Sequence, residues 1–133
     1  MKIKEAKILD LATYGPNKLF DITDQCVEVS EKVREGFLTI FSKGSTGAIV
    51  VLPSGREVKE SYERSLWDLV PVYGWQHPGN AYAHLRSTLI GTSYIIPIIE
   101  NQLPIPGQSI YFLENQPVSR RHRKIIIQAV ELT

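Results

Sequence analysis

The sequence predicts an α+β fold of packed, largely antiparallel sheets with about three helices, and three observations point there. The last third of the chain holds three short β-branched or aromatic segments parted by turns rich in Pro, Gly, Asn and Gln. Helical patterns occur but do not alternate regularly with strands, which argues against a doubly wound parallel sheet. Two apolar runs, 37–41 and 48–52, flank the turn Lys43-Gly44-Ser45-Thr46-Gly47 and read as a β-hairpin.

Residues 2–12, rich in Ile and Leu, read as the first strand. Asp21-Ile22-Thr23-Asp24 has the polar character of a helix start. The helix is expected over 24–35, with Cys26, Val27, Val29 and Val33 among charges and Gly36 closing it. After the hairpin, 57–70 suits a helix, since Val58, Tyr62, Leu66 and Leu69 recur at three or four residues and Pro71 helps to end it. A third helix opens at Asn80, a good N-cap, and stops at Gly91. Its apolar stripe falls at 81, 84, 85, 88 and 89, so His84 is expected to face inward. Strands follow at 93–100, 108–114 and 124–132.

At 133 residues, with no low-complexity linker, internal repeat or change of composition, the chain reads as one domain over 1–133. Fifteen Lys and Arg against fourteen Asp and Glu leave no bulk attraction for nucleic acid or an acidic membrane. The lone cysteine, Cys26, excludes an intramolecular disulfide and a Cys-rich zinc site, and in a helix it reads as a small core hydrophobe. No apolar run is long enough to span a bilayer, and the charged N-terminus lacks a signal-peptide core. A cytoplasmic protein with neither membrane nor nucleic-acid partner is expected.

Chemistry concentrates in Trp75–Arg86, which carries His77 and His84 around the Pro78-Gly79 turn and Asn80. An inward imidazole needs partners for its nitrogens, supplied by protein, water, metal or ligand. The two histidines can bind a transition metal only if a third ligand joins them. Ser45 and Thr46 lie in a Gly-flanked turn of the kind that presents backbone N–H groups to phosphate, or that merely reverses the chain. In Arg120-Arg121-His122-Arg123-Lys124 the guanidinium groups suit phosphate oxygens, although most of the run reads as the polar entry to the last strand. Walker, dinucleotide-binding and zincin motifs are absent.

These residues also carry a resemblance. Asp21-Ile22-Thr23-Asp24 with Glu35–Phe41, Asn80-Ala81-Tyr82-Ala83-His84-Leu85-Arg86 with Leu89–Ser93 and Ile96-Pro97, and Gly107-Gln108, Glu114, Arg121 and Arg123 together resemble the YjbQ-like family. Its members are often labelled secondary thiamine-phosphate synthases. The resemblance implies an α+β fold, a homotrimer with its site near subunit boundaries, and thiamine-phosphate-synthase-like chemistry on a small phosphorylated metabolite. It gives His84, His77 and Glu114 as catalytic candidates, and Asn80, Ser45, Thr46, Gln108, Arg121 and Arg123 as ligand-binding candidates. His77 and His84 are the candidate metal pair, with zinc the expected ion. Two departures stand out: Gly44 replaces a turn histidine of the family, and Pro53 replaces an acidic residue. They motivate the alternative of a non-catalytic trimeric paralogue.

Overall fold

A computed structural model describes residues 1–69 and 81–132. The elements run β1 (Lys2–Thr13), β2 (Lys18–Asp21), α1 (Thr23–Ser30), β3 (Glu35–Ser42), β4 (Gly47–Pro53), α2 (Arg56–Leu69), α3 (Ala81–Ile90), β5 (Ser93–Ile99), β6 (Gln108–Glu114) and β7 (Arg121–Glu131). Every strand pairing is antiparallel. One sheet has the order β1-β7-β3-β5, the other β2-β6-β4. The α+β expectation therefore holds.

Alternation along each strand places the layers. Leu38, Ile40, Ile96, Ile98, Ile125, Ile127 and Ala129 line the inner face of the four-stranded sheet. They meet Ile49, Ile110 and Phe112 of the three-stranded sheet, with Cys26 and Val29 of α1 in the same core. The other face of the smaller sheet gives Leu19, Ala48, Val50, Tyr111 and Leu113, which pack against Leu66 of α2. β6 is thus buried on both faces, and all its residues after Gln108 are inaccessible. Among the described residues nothing covers the outer face of the four-stranded sheet. It shows Ile8, Phe41, Ile95 and Ile99, each at least 44 % exposed.

Four sequence expectations change. First, β3 and β4 do not form a hairpin: β3 pairs with β5 and β7, and β4 with β6. The turn between them crosses from one sheet to the other. Lys43 N–H donates to Lys124 O of β7 (3.1 Å), while Thr46 O accepts from Asn115 N–H beyond β6 (3.0 Å), so each end is tied to a different sheet. Second, α1 stops at Ser30, and Gly36 lies within β3. A Cβ on Gly36 would fall 1.8 Å from Val130 O, so the glycine serves the close approach of β7. Asn101 Nδ2 ties down the intervening loop through Glu31 O (3.1 Å) and Val33 O (2.9 Å). Third, Lys18–Asp21 is a strand, too short to show a period in the sequence.

The fourth change concerns α3. Its buried residues are Ala81, Tyr82, Ala83, Arg86 and Ser87, whereas Leu89 is 68 % exposed and His84 half-buried. The stripe is rotated because Arg86, fully buried, places its guanidinium 4.4 Å from the Trp67 ring and 4.8 Å from Tyr82 and donates to Asn17 Oδ1. A cation between two rings wins over leucine burial on this helix.

Candidate functional site

The site is built where the β3–β4 turn meets α3. Gly44 takes φ +104°, a backbone region that suits glycine and leaves the turn without a side chain at that point. Ser45 follows, exposed, and its Oγ lies 3.0 Å from His84 Nδ1 on the first turn of α3. Half-exposed His84 thus reaches the turn rather than the core. Ser45 and Gly44 border a cleft of about 460 Å³ whose other walls include Ser87, Thr88, Thr92 and Ser93. Ser87 and Thr88 spend their hydroxyl protons on Ala83 O (2.8 Å) and His84 O (2.9 Å), so Ser45, Thr92 and Ser93 are the hydroxyls that can meet the oxygens of a small polar ligand.

Beneath the turn lies a closed polar network. Glu114 continues the inward face of Ile110 and Phe112 on β6, and Arg123 continues that of Ile125 and Ile127 on β7, so they meet at one end of the intersheet core. Glu114 is 0 % and Arg123 2 % exposed. Arg123 Nε donates to Glu114 Oε1 (2.8 Å) and Nη2 to Glu114 Oε2, a bidentate pair. Thr13 Oγ1 donates to Glu114 Oε1 (2.6 Å), and Gln116 N–H to Oε2 (3.2 Å). Arg123 Nη2 also donates to Thr46 Oγ1 (2.7 Å), which itself donates to Gln116 Oε1 (2.9 Å). Arg121 Nη1 donates to the same oxygen (2.6 Å). The buried charges are therefore paired and hydrogen-bonded, as burial demands.

The structure thus gathers Ser45, Thr46, His84, Glu114, Arg121 and Arg123 at one corner. Glu114 acts on the turn through Arg123 and Thr46; both its oxygens are occupied within the protein. Gln108 stands apart: it opens β6 opposite Pro53, six residues and about 20 Å of strand from Glu114. There it borders a groove with Thr23 and Asn101. His77 and Asn80 lie outside the described residues. Thr13, Ser87, Asn115 and Gln116 join the corner without a sequence signal, because only strand register and the sheet crossing bring them in. Asn115 Nδ2 donates to Ser87 Oγ (3.1 Å), and Ser87 Oγ to Ala83 O (2.8 Å).

Among the described residues no three His, Cys, Asp or Glu side chains converge to hold a metal ion. Among the described residues His84 alone falls short of the three protein ligands of a catalytic zinc, and His77, the other candidate ligand, lies outside them. A second concavity, about 470 Å³ between α2 and the β1–β2 connection, is bordered by Lys59, Glu63 and Trp67. Both its carboxylates are already engaged, Glu63 by Leu19 N–H (2.7 Å) and Lys59 Nζ (3.4 Å), Glu60 by Arg56 Nε (2.8 Å).

Two stacked antiparallel sheets, α1 in the core between them, α2 and α3 against the outer face of the smaller sheet, and a polar cleft beside His84 define an α+β two-sheet domain of one recognisable class. The chain belongs to the YjbQ-like UPF0047 family, whose model matches residues 7–132. A UPF0047 protein of Archaeoglobus fulgidus is 33 % identical over 127 residues, covering 92 % of this chain and 98 % of its own. One from Methanothermobacter thermautotrophicus is 36 % identical, covering 86 % of each. Among solved structures, a YbjQ-like protein of unknown function from Sulfolobus solfataricus P2 superposes with TM-score 0.77 at 29 % identity, covering 95 % of this chain and 99 % of that one. A YjbQ/UPF0047 protein from Clostridium acetobutylicum gives 0.79 at 25 %, with 95 % and 99 % covered.

Proposed function

We propose that this YjbQ-like protein binds a small phosphorylated metabolite in the cleft between the β3–β4 turn and α3, with His84 as the group that holds or moves a proton. The carrying observation is the Ser45 Oγ to His84 Nδ1 distance of 3.0 Å. It holds the imidazole against Ser45, which borders the cleft, and an imidazole can give or accept a proton. His77 and Asn80 complete the site in this reading. Its catalytic form is thiamine-phosphate-synthase-like: the ring nitrogen of a thiazole phosphate bonds to the methylene carbon of a pyrimidine pyrophosphate as that carbon's bond to oxygen breaks and pyrophosphate leaves, while the turn and cleft hydroxyls receive phosphate oxygens.

The decisive experiment assays that condensation with purified wild type, His84→Ala and Ser45→Ala. The catalytic form expects turnover that falls by about 10²–10⁴-fold in His84→Ala, the usual range for removing a general acid or base. Wild-type activity that survives His84→Ala undiminished overturns it. Ligand binding without turnover favours the non-catalytic paralogue, which Gly44 and Pro53 already motivate. A zinc titration run in parallel assigns the metal role: tight binding that requires His84 supports it, and unchanged binding in His84→Ala removes it.

The same reading includes a homotrimer. The uncovered outer face with Ile8, Phe41, Ile95 and Ile99 supports self-association, because a contiguous apolar sheet face left in water is costly. Sedimentation equilibrium is expected to give three times the 15.0 kDa chain mass.

A further inference from the structure

Arg123 has three guanidinium nitrogens, and the network uses two. Nε and Nη2 are taken by Glu114 and Thr46. Nη1 has no hydrogen-bond partner among the described residues, although the side chain is 98 % buried as a whole, its exposure being 2 %. Its position is fixed by what is missing above it: a Cβ built on Gly44 would stand 3.1 Å from Nη1, and apart from the neighbouring residues Lys43 and Ser45 no other described heavy atom would come within 4 Å. Gly44 borders the hydroxyl-lined cleft.

We propose that Gly44 is a window through which the outer edge of the Arg123 guanidinium meets one oxygen of a phosphoryl group, the others being met by Ser45 and the cleft hydroxyls. This rests on the cleft reading above and deepens it by assigning the anion anchor. Glu114 grips the Nε–Nη2 edge and so holds the plane rigid with Nη1 turned away from the carboxylate. A pre-oriented guanidinium loses little freedom on binding. The pair is neutral by itself, but Lys43 in the turn and Arg121, joined through Gln116, leave the corner cationic. A tetrahedral oxyanion fits better than a planar carboxylate, because donors stand on several sides: the guanidinium beneath Gly44, Ser45 in the turn, and Thr92 and Ser93 on the cleft wall. Gly44, which reads in the sequence as a histidine lost, becomes an opening gained. A histidine restored there would be strained at φ +104° and would close over Nη1.

The test titrates inorganic phosphate into ¹⁵N-labelled wild type at constant ionic strength, with chloride as control. Buried guanidinium protons exchange slowly enough to be followed. Saturating shifts of the Arg123 guanidinium and of the Gly44 and Ser45 amides, produced by phosphate and not by chloride, are expected. Gly44→Ala, its fold checked by circular dichroism, should weaken phosphate by about tenfold, as for one charge-assisted hydrogen bond. Should that variant not fold, the wild-type titration decides alone. No saturating shift at Arg123, or a folded Gly44→Ala with unchanged affinity, overturns the proposal. His84→Ala separates the two readings: phosphate shifts at Arg123 that persist there leave the anchor standing even if the proton-transfer role of His84 fails.

Discussion

Single residues here are constrained by pairing more than by exposure. Glu114 and Arg123 sit in the core only because each satisfies the other, so removing one charge is worse than removing both. Glu114→Gln is expected to destabilise the fold by about 3–5 kcal/mol, the usual cost of orphaning a buried partner. Urea unfolding of Glu114→Gln and of Glu114→Gln/Arg123→Met should show the double variant recovering much of the loss. Cys26 is the second case. Burial, helped by Asp21, pushes its thiol up to about 12 from an ordinary 9.0. A raised acid favours its protonated form in the fold, so stability from this group is intact below pH 9.0 and declines as pH rises beyond it. The slope is about 1.4 kcal/mol per pH unit while the unfolded thiol is ionised and the folded one is not. Cys26→Ala should remove that difference in melting curves between pH 8 and 10, and native protein should resist thiol reagents at neutral pH until unfolded. The candidates Ser45, Thr46, His84, Arg121 and Arg123 were legible as residue types. That Ser45 touches His84 while Glu114 is sealed beneath them was not, because both depend on the sheet crossing.

At the scale of elements, most spans follow from pattern. β1, α2, β5, β6 and β7 lie within three residues of where alternation, helical spacing and turn chemistry put them. Errors fall where one interaction outweighs the pattern. On α3 the stacking of Arg86 with Trp67 and Tyr82 turns Ala83 and Ser87 inward and leaves Leu89 in water. Ala83→Leu is therefore expected to cost about 1–3 kcal/mol through overpacking, whereas Leu89→Ser should stay within about 0.5 kcal/mol. Thermal denaturation of the two variants checks this rotation directly; equal effects would restore the stripe through His84. α1 ends short of Gly36 for a different reason: Gly36 looks like a helix stop in sequence, yet its use is to let Val130 O approach.

For the whole molecule, the layering leaves one sheet face uncovered among the described residues. If that face mediates the proposed trimer, Ile8→Lys with Ile95→Lys should shift sedimentation to the monomer without unfolding it, and an unchanged mass would place assembly elsewhere. The sequence by itself determined the α+β class, the family and the strand and helix inventory apart from β2, since these rest on local periodicity, turn residues and a near end-to-end motif match. Only the tertiary structure decided that β3 and β4 belong to different sheets, that His84 reaches Ser45 rather than the core, and that Arg123 is buried with one nitrogen left beneath Gly44. The physical reason is common to all three. Strand pairing partners and buried charge pairs are chosen between segments distant in the chain, and no local pattern records that choice.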